Sequence, residues 1–200
     1  TKLLKRNEIF LCDSGGQYKF GTTDVTRTIC FRNQNKNIKN IFTNVLKGHI
    51  AVAQTDLNKK KTGKLIDKDA RKFLKKDRLD YSHGTGHGVG FFLNVHEGPQ
   101  AISKFNSVKI QKGMILSNEP GYYKKDKFGI RIENLVYVKK IGGKLGFENL
   151  TLAPIEKELI NFNLLTKQEK NYLFNYHFKV YSKISPFLNK NEKKWLASFI

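Results

Sequence analysis

Three of the five histidines fall close together, two in His83-Gly84-Thr85-Gly86-His87-Gly88-Val89-Gly90 and one in the following Asn94-Val95-His96-Glu97-Gly98-Pro99. The four glycines of the first stretch allow backbone of positive φ and close approach to a ligand. The imidazoles are therefore expected to bind metal or substrate. Carboxylates that could partner them stand elsewhere: Asp13 at the end of an apolar run, Asp24 beside strand formers, Glu119 held extended by Pro120, and Glu133 alternating with isoleucines. Each alone has an ordinary alternative. Asp13 and Asp24 could be turn residues, and Arg131 with Glu133 could be a cross-strand salt-bridge surface. Together, Asp13, Asp24, His87, Glu119 and Glu133 offer four hard carboxylates and one imidazole. Such a set suits two divalent cations, Mn²⁺ first with Zn²⁺ or Co²⁺ as further candidates, better than it suits thiolate-rich structural zinc. Two such ions can polarise a carbonyl and share a hydroxide, which is two-metal hydrolysis. His83 and His96 are left to handle substrate and developing charge.

These side chains must be carried by a scaffold, and the periodicities predict one of mixed α and β type. Ile9-Phe10-Leu11-Cys12 reads as a short strand turned at Ser14-Gly15-Gly16, and Thr22 to Phe31 as its partner, bringing Asp13 near Asp24. Ile38, Ile41, Phe42, Val45, Leu46, Ile50 and Val52 recur at helical spacing across 37–53, and a second helix is expected over 67–76. His49 lies in the first apolar face and reads as a packed core histidine. Met114-Ile115-Leu116 is a strand delivering Glu119, Tyr122 to Phe128 a polar turn, and Gly129 to Val138 a long strand with Ile130 and Ile132 on one face. A last strand is expected over 147–152. From Pro154 the composition becomes amphipathic: Thr166 and Glu169 form a capping box ahead of a stripe of Tyr172, Leu173, Tyr176, Val180 and Ile184. Trp195, Leu196 and Phe199 make a terminal apolar patch, and His177 reads as structural.

Composition narrows the function classes. The net charge of +20 is mostly lysine scattered with asparagine from end to end. A nucleic-acid site would cluster basic residues on one face or stripe, so a solvated surface is expected and nucleic acid is not an expected partner. Apolar runs are too short for a membrane span. Lys2, Lys5 and Arg6 around a leucine pair make no signal peptide, and the two cysteines, Cys12 and Cys30, predict a reducing compartment, the cytoplasm. P-loop, GxGxxG, HExxH and GxSxG motifs are absent.

Five blocks carry a resemblance: Cys12-Asp13-Ser14-Gly15-Gly16-Gln17-Tyr18, Gly21-Thr22-Thr23-Asp24-Val25-Thr26-Arg27-Thr28, His83 to Gly90, Ser117-Asn118-Glu119-Pro120-Gly121-Tyr122-Tyr123, and Gly129-Ile130-Arg131-Ile132-Glu133-Asn134. In this order and at these intervals the chain resembles the Xaa-Pro aminopeptidase (aminopeptidase P) family, of the pita-bread metallopeptidase fold. Phe147 to Ile155 and Trp195-Leu196 extend the likeness to the family's long, multidomain form. The resemblance implies an α+β pita-bread domain over 1–153 and a helical extension over 154–200 that contacts a second copy in a homodimer. It implies that Asp24 and Glu133 bridge two metals, that Asp13 completes one and His87 and Glu119 the other, and that a metal-bridging hydroxide cleaves the bond before a proline in second position. Glu119 would take the proton, His96 would stabilise the oxyanion or hold the substrate backbone, and His83, Tyr123 and Arg131 would shape the proline pocket. The family's domain starts well before its first metal aspartate, whereas twelve residues precede Asp13 here. The N-terminal part of the fold is therefore expected to be missing. The alternatives are an inactive fragment of that enzyme, a dipeptide-specific prolidase, or a pita-bread binding module for nucleic acid or protein.

Overall fold

The computed structural model describes residues 3–90 and 94–200. Strands β1 (Ile9–Tyr18) and β2 (Gly21–Cys30) pair antiparallel, with Asp13 opposite Thr26 and Gly15 opposite Asp24. Directly opposed residues share a face of the ribbon, so Asp13, Gly15, Asp24 and Thr26 all point one way. The expected turn at Ser14-Gly15-Gly16 is not there. The strand runs through these residues and reverses at Lys19-Phe20, because Gly16 is engaged across the ladder, its N–H donating to Thr23 Oγ1 at 3.1 Å.

Helix α1 (Lys36–Ala53) starts at Asn35, whose side chain accepts from the Ile38 N–H, and buries Phe42, Val45, Leu46 and Ile50. Helix α2 (Gly63–Lys76) begins four residues before the apolar period would place it, and its first turn already buries Ile66 beside the exposed Lys64 and half-exposed Leu65. His49 is fully buried, as its position in the apolar face predicts.

The histidine stretch enters β3 (Gly86–His87), which pairs with β4 (Ala101–Ile102) and touches the next strand through a Gly88–Leu116 bridge. Strand β5 (Ile115–Asn118) pairs with β8 (Asn134–Ile141), which pairs with β9 (Lys144–Asn149). The expected polar turn at 122–128 is instead a hairpin of β6 (Gly121–Lys124) and β7 (Phe128–Arg131). The long strand expected from Gly129 to Val138 breaks at Ile132-Glu133. There the Ile132 N–H turns to the Pro120 carbonyl and the Glu133 N–H to the Thr26 carbonyl at 3.0 Å. Ile130 and Ile132 are fully buried on a shared side all the same. The last strand ends at Asn149, and the chain then runs without regular structure towards Pro154.

Helix α3 (Lys167–Ile184) carries the predicted capping box, with Thr166 Oγ1 accepting from the Glu169 N–H and the Glu169 carboxylate accepting from the Thr166 N–H. A short α4 (Lys190–Ala197) follows. Leu173, Tyr176, Val180 and Leu196 join the same buried cluster as Phe42, Leu46 and Ile130. The C-terminal helices thus share the core that carries α1 and β7. In the terminal patch Leu196 is buried, while Trp195 stays 57% exposed and packs edge-on against Phe199. Among the described residues no helix is long and apolar enough to cross a membrane.

Candidate metal centre

Asp24 of β2, His87 of β3 and Glu133 of the β7–β8 break each bring a donor atom within 4.8 Å of the other two. Glu119, just after β5, joins them: its Oε1 lies 3.4 Å from His87 Nε2, and Asp24 Oδ2 lies 3.5 Å from the same nitrogen. His87 Nδ1 sits 3.0 Å from the Gly88 carbonyl. A carbonyl only accepts, so Nδ1 carries a proton and Nε2 is the nitrogen turned to the carboxylates. Ser117 joins two of these elements, accepting from the His87 N–H at 2.8 Å and donating to Glu119 Oε1 at 2.9 Å.

The glycines of the loop serve close packing. A Cβ at Gly86 would sit 2.0 Å from the Ser117 carbonyl oxygen, and one at Gly88 the same distance from that of Glu97. The positive φ expected of this loop is found elsewhere; among the described residues the glycines that adopt it are Gly113, Gly142 and Gly143.

Electrostatics at the cluster is unfavourable without a cation. Burial, then the neighbouring Glu119 and Asp24 charges, push Glu133 up to about 7. Burial also raises Glu119. Burial opposes the charged form of His87, but hydrogen bonding to Asp24 and to the Gly88 carbonyl, with the Glu119 charge, lifts its imidazole above the ordinary value. Three carboxylates converging on one imidazole in a largely buried pocket are the donor set of a hard divalent cation. The cavity they line has a volume of about 350 Å³ and is also walled by Asp13, Thr22 and His96. Thr22 Oγ1 is buried there without a hydrogen-bond partner among the described residues. These residues fit two divalent ions.

Asp13 stands apart from the trio. Its half-exposed carboxylate pairs with Arg131 at the wall of the same cavity. Arg131 also donates from Nε to Thr26 Oγ1 and from a terminal nitrogen to the Tyr123 hydroxyl, both at 2.9 Å. The Arg131–Glu133 surface pair allowed by the sequence does not form, because the chain breaks between them. The Tyr123 hydroxyl reaches His83 Nε2 at 2.9 Å, while His83 Nδ1 faces the Gly84 carbonyl at 2.7 Å. Asp13, Arg131, Tyr123 and His83 thus make one hydrogen-bonded row beside the cluster. His96 is exposed on the cavity wall, its ring 4.1 Å from that of His87.

The two histidines read as structural are so placed. His49 Nδ1 donates to the Ile132 carbonyl at 3.2 Å, and burial takes its pKa down to about 3. His177 Nε2 accepts from the Ile155 N–H at 3.1 Å, and burial lowers it to about 4. Sequence reasoning assigned no role to Thr26, whose hydroxyl donates to Glu133 Oε2 at 2.6 Å, or to Ser117. A signal existed for both: each lies two residues from a metal-type carboxylate in extended chain, on the same face.

Residues 1–140 match metallopeptidase family M24, and residues 143–198 match the C-terminal region of peptidase M24. A probable Xaa-Pro aminopeptidase P from Laccaria bicolor is 47% identical over 97% of this chain, which covers 32% of that relative. Its counterpart from Coprinopsis cinerea is also 47% identical, with 97% and 33% covered. The chain spans about a third of the length of these curated relatives. Among solved structures, an X-prolyl aminopeptidase from Caenorhabditis elegans, described as a cytosolic enzyme with a di-nuclear active site, superposes with a TM-score of 0.89 at 40% identity, over 96% of this chain and 33% of its own. Prolidase from Pyrococcus furiosus superposes with a TM-score of 0.67 at 29% identity, over 75% and 43%. The pita-bread fold, the convergent carboxylates and the matched C-terminal region agree: this chain belongs to metallopeptidase family M24.

Proposed function

We propose that this chain forms the metal centre and C-terminal region of an Xaa-Pro aminopeptidase, which removes the N-terminal residue from peptides whose second residue is proline. The observation that carries this reading is the convergence of Asp24, His87 and Glu133, with Glu119 in contact. In this reading Asp13, Asp24, His87, Glu119 and Glu133 would hold the two cations, Asp24 and Glu133 serving both, Asp13 one of them and His87 with Glu119 the other. When bound, two divalent cations, Mn²⁺ first among them, supply Lewis-acid polarisation of the scissile carbonyl and acidify water. Glu119, oriented by the Ser117 hydroxyl, takes the proton as the water attacks. His96, at the open wall of the cavity, donates to the developing oxyanion or holds the substrate backbone. Tyr123, fixed between Arg131 and His83, presents an aromatic face against which a proline ring packs.

Residues 1–153 act in this reading as the catalytic portion and 154–200 as the helical extension. The exposed Phe174 and Phe178, stacked on the outer face of α3, are the contact for a second copy. The two free cysteines and the cytosolic C. elegans enzyme support a cytoplasmic location. The C-terminal match and the higher TM-score favour the aminopeptidase over prolidase. Assaying the complete protein on Xaa-Pro dipeptides and on longer Xaa-Pro-Xaa peptides tests the choice. Cleavage of the longer peptides is expected, and hydrolysis confined to dipeptides would sink it.

A further inference from the structure

One guanidinium ties the metal cluster to the C-terminal helices. Arg27 follows Asp24 by three residues on β2. One terminal nitrogen donates to the Thr26 carbonyl at 2.9 Å and to the Glu133 carbonyl at 2.6 Å. The other donates to Asn134 Oδ1 at 2.7 Å, the Ala153 carbonyl at 2.8 Å and the Tyr176 hydroxyl at 3.0 Å, and Nε donates to the Pro154 carbonyl at 2.9 Å. Among the described residues no carboxylate oxygen is an acceptor of this group. Arg27 is therefore a fork holding backbone, not half of an ion pair, and its five N–H groups serve six acceptors.

Two of those acceptors matter most for the cluster. Glu133 is gripped on three sides by the Thr26-Arg27 dipeptide: its N–H by the Thr26 carbonyl, its carbonyl by Arg27, and its carboxylate by the Thr26 hydroxyl. Its place relative to Asp24 is thus tied to the Thr26-Arg27 dipeptide, which follows Asp24 on β2 and is held in turn by the Arg27 fork. The far side of the fork is held by α3. The Tyr176 hydroxyl spends its single proton on the Ala153 carbonyl at 2.7 Å, which leaves a lone pair for Arg27. A planar fork transmits this position in a way that a flexible ammonium cannot.

We propose that Arg27 and Tyr176 are positioning residues through which α3 sets the spacing of Asp24 and Glu133, so that cation affinity at the centre depends on one hydroxyl of the C-terminal region. This rests on the metal-centre reading above. Metal sites accept ligand displacements of only about 0.2 Å, and loss of a group that orients a ligand typically costs about 10–100-fold in affinity.

A matched pair of deletions on one helix tests it. Tyr172 lies one turn before Tyr176 on α3, its ring stacked at 6.4 Å, and its hydroxyl accepts from Asn149 Nδ2 instead of reaching Arg27. Mn²⁺ affinity of the complete protein is measured by titration with electron paramagnetic resonance, and the Tm of the metal-free form is recorded in parallel. Tyr176→Phe is expected to weaken Mn²⁺ binding about tenfold and Arg27→Lys up to about a hundredfold, while Tyr172→Phe changes Tm but not affinity. Wild-type affinity in Tyr176→Phe, or equal weakening in Tyr172→Phe, overturns the inference with the metal centre intact. A wild-type protein that takes up no Mn²⁺ overturns the metal-centre reading and the inference with it.

Discussion

On the α2 side of the histidine stretch, Asp67, Arg71 and Asp80 meet; on the β2 side, Asp24, His87, Glu119 and Glu133 meet. Both groups are charged, and apart from the half-exposed Asp80 their side chains are largely buried, but only in the first does a cation answer the carboxylates. Arg71 Nε grips both Asp67 oxygens at 3.0 and 2.8 Å, and its terminal nitrogens reach Asp80, the Tyr81 carbonyl and the His83 carbonyl. Its guanidinium lies 3.8 Å from the Tyr81 ring centroid. Asp67 accepts a further bond from Thr85 Oγ1 at 2.6 Å. Burial works against Asp80, but Arg71 holds its carboxyl below the ordinary range. In the second group like charges face one another, and Glu133 is driven up to about 7. A buried polar cluster whose every bond is made supports the fold. One left in electrostatic conflict costs stability and persists where a ligand relieves it. The first cluster holds the backbone that presents His83, and the second is the donor set of a divalent-cation site.

The largest expected effect breaks the comparison from the metal side. Asp24→Ala removes a carboxylate of the converging trio, and elemental analysis should find metal binding abolished. His96→Ala, which leaves the trio itself in place, should keep its metal and lose about 10²–10³-fold in turnover, the scale for removing one oxyanion donor. Equal metal loss in both variants would refute that division of roles. Next comes the balanced cluster. Arg71→Met leaves Asp67, 2% exposed, as an uncompensated buried charge, and denaturant unfolding should show a loss of about 3–5 kcal/mol. A loss comparable to that of an exposed lysine substitution would mean that the cluster holds nothing together.

The smallest effect is a slope. In metal-free protein Glu133 titrates near 7 when folded and near the ordinary glutamate value when unfolded. The folded state then binds more protons between those two values, so stability is highest at the acidic end and falls as pH rises through about 7. Glu133→Gln should flatten that slope in Tm-against-pH scans. An unchanged slope would show that the conflict at Glu133 is relieved within the protein itself. The same substitution should leave the Arg71 cluster untouched, since Arg71 bonds to Asp67, Asp80 and the Tyr81 and His83 carbonyls, whereas the Glu133 carboxylate bonds to Thr26.

Much of the scaffold was legible. Ile41, Phe42, Val45 and Leu46 announce α1 because a buried helical face repeats at helical spacing, and Thr166 with Glu169 announces the start of α3 because caps are local chemistry. The β6–β7 hairpin was hidden because Lys124 to Lys127 look like any solvated loop. The break at Glu133 was hidden for a different reason. Apolar alternation passes through Ile130 and Ile132 without interruption, and the bonds that hold Glu133 out of the strand go to Thr26, 107 residues away.

The candidate ligands, Asp13, Asp24, His87, Glu119 and Glu133, were all named by residue type and motif, and four of them converge. What kind of chemistry the chain can perform was therefore determined by sequence alone, because hard carboxylates and an imidazole favour hard divalent cations wherever they meet. Which of them meet was decided only by tertiary structure. Asp13 turns to Arg131, Glu133 is pinned by Thr26 and Arg27, and Arg27 is held in turn by a tyrosine of α3. Spacing along a chain carries no information about such partners, since each bond joins segments about a hundred residues apart and forms only when the core brings them together.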